Sequence, residues 1–275
     1  MIKVPFSFDR DFRITMISDL CLPPLGGQAE AAVFAFLRTI FKKSEPDLVV
    51  FTGGLGEPTQ QKERLKRFCA WMDECGIPWT FTFGDEDRSF FTPVRTLEST
   101  LLSSAACLYE CGDLRVRGEG NYAVALQDPQ RNTHWVLWML DTGDAVVRTP
   151  FFHNVIDWCA QARAAVQEDC GMLCFCHRAL PEFAAFAPAT EPSRDTAENF
   201  GLFASLMGDA RVRGIFAGQI NQGDGCGELD GICCAYGVRT GSPTFGWRTI
   251  RLPKDPADQV TTAAHYAAGQ ERSLP

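Results

Sequence analysis

The feature that most constrains the fold of this chain is the segment 12–22, which reads FRITMISDLCL. Its mostly apolar run, 14–17, ends at Ser18 and Asp19. A buried strand that stops at a carboxylate is how an α/β protein brings an acidic side chain to the edge of its sheet, where ligands bind. The segment therefore predicts a buried strand followed by a candidate ligand-binding residue, Asp19.

Helical and strand patterns alternate after this segment. Apolar residues recur at helical spacing in two stretches, and short apolar runs that end at glycine lie beside them. Gly76 follows the second helix, as glycine commonly does, and Thr92-Pro93 begins a third. The predicted helices cover 28–43, 61–75 and 93–103, and the predicted strands cover 47–52 and 79–83. This alternation predicts a parallel, doubly wound half of the protein.

The second half of the chain begins with strands. The predicted strands cover 122–126, 135–140, 172–176, 214–217, 232–236 and 245–252, with helices at 151–167 and 199–207. Because no internal repeat and no linker is evident, we expect one domain, 1–275, in which two sheets face each other. We expect its core to span about 12–252 and the tail, 253–275, to be a peripheral helix or frayed.

Composition limits the classes of partner. The net charge of −8 and the pI near 5.1 argue against nucleic acid and anionic membrane surfaces, which need basic patches. No stretch has the roughly 18 apolar residues of a membrane span, and residues 1–10 lack the apolar centre of a signal peptide. We therefore expect a cytoplasmic protein whose twelve cysteines are reduced, with a secreted disulfide framework as the alternative.

Five short segments follow predicted strands in a fixed order: Ser18-Asp19-Leu20-Cys21, Gly53-Gly54-Leu55-Gly56-Glu57, Gly84-Asp85-Glu86-Asp87, His177 and Gly218-Gln219-Ile220-Asn221. Their order and spacing resemble the calcineurin-like metallophosphoesterase superfamily, whose motifs read D-x-H, G-D-x-x-E/D, G-N-H-D/E, H and G-H-x-H. The flanks PDLVVFTG and LCFCHRALPEF are similar to its purple-acid-phosphatase-like branch. The resemblance runs from about 12 to 252. It implies an α/β sandwich of two mixed β-sheets flanked by helices, with two metal ions at the strand ends.

The resemblance also implies which residues stand at the eight functional positions of the family. The ligand positions of the first metal fall on Asp19, Cys21 and Asn221. The ligand positions of the second metal fall on Asp85, His177 and Gln219. The bridging carboxylate falls on Gly54, and the acid–base histidine falls on Glu86. Asp19 and His177 match the family pattern, Asp85 is a near replacement, and the other positions are changed.

The loss of the carboxylate at position 54 argues against a dinuclear metal centre. Two divalent cations about 4 Å apart repel each other strongly, and a shared carboxylate offsets much of this repulsion. The amides of Gln219 and Asn221 are weaker ligands than imidazole for zinc, iron or manganese. We therefore expect either no metal or one divalent cation (Mg²⁺, Ca²⁺, Mn²⁺ or Zn²⁺). Oxygen ligands favour the first two, whereas a Cys21 thiolate favours zinc.

These residues are compatible with three functions. The leading one is a phosphoesterase homologue that has lost most or all hydrolysis and has a binding or regulatory role. The second is an active phosphoric-ester hydrolase with one metal held by Asp19, Asp85 and His177. The third is redox or metal chemistry at Cys21 and the segment Cys174-Phe-Cys176. Because carboxylates make the strand ends negative, a small phosphorylated ligand is expected only with a bound metal.

Each candidate residue also has an ordinary structural interpretation. Asp19 could cap a turn, His177 could be a satisfied histidine at the sheet edge, and 85–87 could be a solvated acidic loop. Arg178, Arg194 and Arg239 could contact an anion, although surface ion pairs are the more common role of such residues.

Overall fold

The structure is a computed structural model. It describes residues 1–5, 10–56, 59–88, 92–141, 154–186, 201–218 and 224–267, together with the backbone of 153 and 271–273. The strands are β1 (Ile2–Pro5), β2 (Phe12–Ile17), β3 (Leu48–Phe51), β4 (Trp79–Phe81), β5 (Tyr122–Gln127), β6 (Thr133–Leu140), β7 (Gly171–Cys176), β8 (Val212–Ala217), β9 (Cys226–Leu229), β10 (Ile232–Tyr236), β11 (Gly246–Leu252), β12 (Thr261–Tyr266) and β13 (Glu271–Ser273). The α-helices are α1 (Gln28–Ser44), α2 (Gln61–Cys75), α3 (Val94–Leu102), α4 (His153–Ala164) and α5 (Leu202–Met207).

The strands form two mixed sheets. The first has seven strands in the order β1-β5-β6-β7-β8-β10-β9, and the second has six in the order β13-β12-β11-β2-β3-β4. In the six-stranded sheet β2, β3 and β4 are parallel, and β11 pairs antiparallel with β2. In the seven-stranded sheet β6, β7, β8 and β10 are parallel. The expected α/β fold with two mixed sheets is thus confirmed.

The two sheets share one hydrophobic core. The four residues of β3 are all buried, because α1 and α2 cover one face of the six-stranded sheet and the other face meets the second sheet. Phe51 of β3 packs edge-on against Phe68 of α2. On the other face the hydroxyl of Tyr122, in β5, lies 2.5 Å from Oγ1 of Thr80, in β4. This contact joins the sheets directly.

A second core lies on the outer face of the seven-stranded sheet. It includes Trp138 of β6, Val155 of α4 and Leu206 of α5, all of which are buried. The seven-stranded sheet is therefore covered on both faces, as parallel strands require. Because both faces are covered, the loops that follow the parallel strands are the place to look for a functional site.

The predicted elements agree with the structure where the pattern was strong. The helices expected at 28–43, 61–75 and 93–103 are confirmed within one residue, and the predicted strands within two. The helix expected at 151–167 ends earlier, at Ala164, and the one expected at 199–207 begins at Leu202. Residues 151–152 and 199–200 lie outside the described residues. The short strands β1 and β9 were not predicted.

The interpretation of the tail as a peripheral or frayed helix is wrong. Residues 261–266 form β12, which pairs antiparallel with β11, and β13 pairs with β12. Thr262 and Ala264 are buried on one face of β12 while Thr261 is exposed. This alternation of small residues is a strand pattern, and it satisfies the backbone groups of β11 that would otherwise form an open edge.

All twelve cysteines lie in the described residues, and none forms a disulfide. The secreted disulfide framework therefore has no support in the structure. Among the helices that the structure describes, none combines the length and the apolar character needed to cross a membrane.

Candidate functional site

The loops after β2, β3, β4, β7 and β10 meet at one place, which we call the strand-end cluster (18–22, 52–56, 84–88, 177–178 and 237–241). Thr52 lies at its centre. The Oγ1 of Thr52 is 2.8 Å from the Oγ of Ser18, and its carbonyl oxygen is 2.7 Å from Nδ1 of His177. Ser18 also forms a parallel β-bridge with Arg239. The cluster therefore joins the ends of strands from both sheets.

His177 is held by the backbone rather than exposed at the edge. It follows β7 directly, and only 3% of its surface is exposed. Its Nδ1–H donates to the Thr52 carbonyl oxygen, which fixes the tautomer and leaves Nε2 as the nitrogen that a cation would use. A Cβ atom on Gly84 would lie 2.8 Å from Nδ1. The glycine therefore lets the loop after β4 approach the ring.

Position 54 has no room for a side chain. Gly54 has φ +76°, and a Cβ atom there would lie 2.5 Å from Oδ1 of Asp19 and 2.6 Å from its Cα. Asp19 has a left-handed backbone, with φ +47°, and its N–H donates to the Gly53 carbonyl oxygen at 3.1 Å. The N–H of Cys21 donates to the Gly54 carbonyl oxygen at 2.8 Å. The chain after β2 thus fills the space beside residue 54.

Asp87 ties two of the loops together. It is fully buried, and its carboxylate accepts hydrogen bonds from the backbone N–H groups of Gly54 at 3.0 Å, Leu55 at 2.6 Å and Gly84 at 2.7 Å. Burial raises the pKa of this carboxyl to about 6, although the backbone hydrogen bonds oppose the rise. The interpretation of 85–87 as a solvated loop is therefore wrong for Asp87.

Asp85 lies in an ion pair with Arg178. The Nε–H of Arg178 donates to both carboxylate oxygens of Asp85, at 2.8 and 3.0 Å. The side chain of Arg178 is 6% exposed and that of Asp85 is 18% exposed. Glu86, at the position of the family's acid–base histidine, is exposed. Its carbonyl oxygen accepts a hydrogen bond from Gln61.

Cys21 lies beside an arginine as well. An Nη2–H of Arg239 donates to its Sγ at 3.0 Å. Burial nevertheless raises the pKa of the Cys21 thiol to about 11, because desolvation outweighs the charge of Arg239. Cys174 and Cys176 are buried in the second core, and burial raises the pKa of both thiols. The structure therefore contains no activated thiolate among these three residues.

Arg88 forms a buried ion cluster that the sequence analysis missed. Its guanidinium bonds to Asp141, after β6, and to Glu119. The backbone N–H of Glu119 donates to Asp141 at 2.7 Å. Burial raises the pKa of Asp141, while Arg88 opposes the rise. Because Arg88 directly follows Asp87, this cluster anchors the far end of the loop after β4.

The donors in the described residues do not fit a pair of metal ions. Within these residues no three histidine, cysteine, aspartate or glutamate side chains are grouped so that they could hold a metal. Asp85 is bonded to Arg178, and the space at Gly54 is filled by Asp19. Gln219 and Asn221, which stand at two further ligand positions, lie outside the described residues.

The arginine contacts were not predicted from the sequence. Arg178 directly follows the lone histidine, and Asp85 is acidic where the family has a neutral asparagine. The extra carboxylate and the basic residue stand in two motifs whose positions the family brings to one metal, and this combination is a signal of charge pairing that could have been used.

Comparisons with known proteins agree with this fold. No family model matches the chain. It is 24% identical over 252 residues to "Probable inactive purple acid phosphatase 14" of Arabidopsis thaliana, a match that covers 77% of the chain. It is 25% identical over 301 residues to "Probable inactive purple acid phosphatase 29" of the same plant, which covers 89% of the chain. The chain spans 63% of the length of the first relative and 75% of the second.

Solved structures share the architecture. A dimetal phosphatase from Danio rerio superposes with a TM-score of 0.65 at 14% identity, over 97% of this chain and 99% of that one. A protein of Thermus thermophilus superposes with a TM-score of 0.56 at 10% identity, over 86% of this chain and 93% of that one. At these identities the likeness concerns the fold. The two-sheet fold and the plant relatives are consistent with the resemblance to the calcineurin-like metallophosphoesterase superfamily and its purple-acid-phosphatase-like branch.

Proposed function

We propose that this protein keeps the metallophosphoesterase fold but does not hydrolyse phosphoesters with two metal ions, and that it has a binding or regulatory role. The observation that carries the proposal is the closed space at Gly54, where Asp19 lies 2.5 Å from the point a Cβ atom would occupy. A bridging carboxylate cannot be placed there without moving the chain after β2.

A two-metal hydrolase holds its cations about 4 Å apart, where they clamp the attacking and leaving oxygens of the substrate. Without a shared carboxylate, the repulsion between two divalent ions at this distance has no local counterweight. In this protein two carboxylates of the strand-end cluster already have other partners. Asp87 accepts three backbone N–H groups, and Asp85 accepts the Arg178 guanidinium.

The two plant relatives are named as probable inactive purple acid phosphatases. Their names are in line with the proposal for this chain. The twelve thiols, none of which forms a disulfide, support the further proposal that the protein works in a reducing compartment such as the cytosol.

A second candidate function is a phosphoric-ester hydrolase that uses one metal held by Asp19, Asp85 and His177. The observation that favours it is the tautomer of His177. The bond from Nδ1 to Thr52 leaves Nε2 as a ligand nitrogen, as in many metal-binding histidines. In this case Arg178 would have to leave Asp85 before the ion entered.

Turnover of an aryl phosphate and an aryl phosphodiester with added Mn²⁺, Zn²⁺ or Mg²⁺ separates the two functions. The proposal predicts no metal-dependent turnover above the protein-free rate. Metal-dependent turnover that is abolished by Asp19→Ala and by His177→Ala would contradict it and support the second function. His134→Ala is the matched control, because His134 pairs with Asp128 away from the strand-end cluster.

A further inference from the structure

The ion pair between Arg178 and Asp85 lies at the position where the family places a cation. Asp85 stands at one ligand position of the second metal, and Arg178 follows His177, which stands at another. The two residues are 93 positions apart in the chain. The fold therefore brings a guanidinium to the same carboxylate that a metal ion would need.

Burial makes this pair more than a surface contact. The Arg178 side chain is only 6% exposed, and a buried charge is costly unless it is paired and hydrogen-bonded. Its Nε–H contacts both oxygens of Asp85, so the carboxylate holds the guanidinium at a fixed place. Arginine keeps its charge at every ordinary pH, as a resident cation would.

The amino acid at position 85 fits this interpretation. The family has a neutral asparagine there, which suits a site whose positive charge comes from a divalent ion. A carboxylate at the same place suits a single, fixed positive charge, because a neutral amide would leave a buried guanidinium without a counter-charge. The aspartate at 85 and the arginine at 178 thus together take the place of the asparagine ligand and the divalent ion.

The first metal position has a similar arrangement. Arg239 donates to the Sγ of Cys21, which stands where the family has a histidine ligand. The guanidinium also donates from Nε to the Ser242 carbonyl oxygen at 3.1 Å, so its place is fixed by the loop after β10. At each of the two metal positions, therefore, a guanidinium donates to the residue that stands in the place of a metal ligand.

We infer that the Arg178 guanidinium stands in for the second metal ion, and that this position binds a divalent cation only when the guanidinium is removed. The inference rests on the proposed loss of two-metal hydrolysis. A divalent ion and a guanidinium on one carboxylate repel each other strongly, because both carry positive charge and the Arg178 side chain is largely buried. Occupancy by one therefore excludes the other.

The test compares thermal unfolding of the full chain with and without Mn²⁺ or Zn²⁺. Arg178→Met removes the guanidinium and keeps an unbranched apolar stem. We expect the cation to raise the unfolding midpoint of Arg178→Met and to leave that of the wild type unchanged. This difference corresponds to an affinity for the cation at least about tenfold higher in the variant. The shift should disappear in Arg178→Met/Asp85→Ala and in Arg178→Met/His177→Ala.

A matched control is available at another arginine–aspartate pair. Arg10 donates from Nη1 to Asp47 at 2.7 Å, and the Asp47 side chain is 25% exposed, close to the 18% of Asp85. The unfolding midpoint of Arg10→Met should therefore not respond to the cation, since Asp47 has no counterpart of His177 beside it. An equal response in Arg10→Met would mean that any aspartate relieved of its arginine binds the cation, and would overturn the inference.

Two other results would overturn it. One is a wild type that responds to the cation as strongly as Arg178→Met, and the other is an Arg178→Met variant that does not respond. If Arg178→Met does not fold alone, refolding with and without Mn²⁺ makes the same comparison. Recovery that needs both the cation and Asp85 supports the inference, and no recovery contradicts it. Turnover by the wild type tests the proposed function separately, so the two failures are distinguishable.

Discussion

Apart from Arg88, which pairs with Asp141 and Glu119, the two sheets contribute opposite charges to the strand-end cluster. The loops after β2 and β4 of the six-stranded sheet bring Asp19, Asp85 and Asp87. The loops after β7 and β10 of the seven-stranded sheet bring His177, Arg178 and Arg239. In a two-metal enzyme the carboxylate and imidazole groups of both sides converge on cations. Here Arg178 from one side binds the Asp85 carboxylate from the other.

This difference between the two sides shows how a metal site can close without loss of the fold. On the acidic side Asp87 is satisfied by backbone groups, because its carboxylate accepts three N–H groups from two loops. The basic side reaches across to the acidic side, through Arg178 and Arg239. The contacts of Arg178 with Asp85 and of Arg239 with Cys21 thus link the two sheets at the place where a two-metal enzyme has its cations.

Removal of the Asp87 carboxylate should cause the largest loss of stability on the acidic side. Asp87→Ala leaves three buried N–H groups without their acceptor, and each unsatisfied buried group costs roughly 1–3 kcal/mol. We expect the free energy of unfolding in urea to fall by about 3 kcal/mol or more. Asp113→Ala is the control, because Asp113 pairs with Arg115 at the surface. An equal effect of the two variants would mean that Asp87 does not hold the loops.

The pH dependence of Asp87 should differ from that of the exposed carboxylates. Its pKa is raised from 3.8 to about 6, so between these values the folded state binds more protons than the unfolded state. Asp87 should therefore lower the free energy of unfolding as the pH rises from about 4 to 6, by about 3 kcal/mol at most. Asp113 has the opposite sign, because Arg115 lowers its pKa to about 2.

Carbon-13 NMR of the aspartate carboxyl groups measures this difference site by site. We expect one aspartate that titrates near pH 6 and disappears in Asp87→Ala or Asp87→Asn. If every aspartate titrated below about pH 4.5, the burial of Asp87 would not have the expected effect on its proton affinity.

Substitution of Gly54 should distinguish the free-energy cost of a left-handed backbone from the cost of a steric clash with Asp19. Gly54→Ala places a Cβ in a left-handed residue and 2.5 Å from Asp19, and left-handed strain alone costs about 1–3 kcal/mol. Gly231 has a similar φ, +79°, with nothing within 4 Å of its Cβ position. We expect Gly54→Ala to reduce the free energy of unfolding by about 2 kcal/mol more than Gly231→Ala. Equal losses would mean that the space beside residue 54 opens easily.

The smallest expected effect is at Cys21, on the boundary between the two sides. With a pKa of about 11, its thiolate fraction near neutral pH is about 300-fold below that of a free cysteine, whose pKa is about 8.5. Alkylation by iodoacetamide, followed by mass spectrometry, should therefore be about 300-fold slower at Cys21 than at a free thiol. Modification as fast as that of a free thiol would revive the cysteine-based function.

The sequence predicted the elements whose pattern is local. The helix 61–75 was predicted at its full length, because its apolar face is periodic and Gly76 follows it. The strand β12 was missed, because its alternation consists of threonine and alanine rather than of large apolar residues. The strand β1 has four residues and little burial, so its pairing with β5 depends on a partner far along the chain.

The sequence pointed to segments of a candidate site but not to the contacts between them. The loss of a carboxylate at 54 could be read directly from the sequence through the family resemblance. The contacts of Arg178 with Asp85 and of Arg239 with Cys21 span 93 and 218 positions, and no local pattern encodes them. The burial of Asp87 was hidden for the same reason, since two of its three donors come from the loop after β3.

The metal content of the purified chain tests the central claim most directly. The protein is prepared without chelator, incubated with excess Mn²⁺ and Zn²⁺, freed of unbound ions by gel filtration and analysed by plasma mass spectrometry. Because Gly54 offers no bridging ligand and Arg178 occupies Asp85, the account predicts well below one ion per chain. Two ions per chain, lost in Asp19→Ala and in His177→Ala, would contradict it.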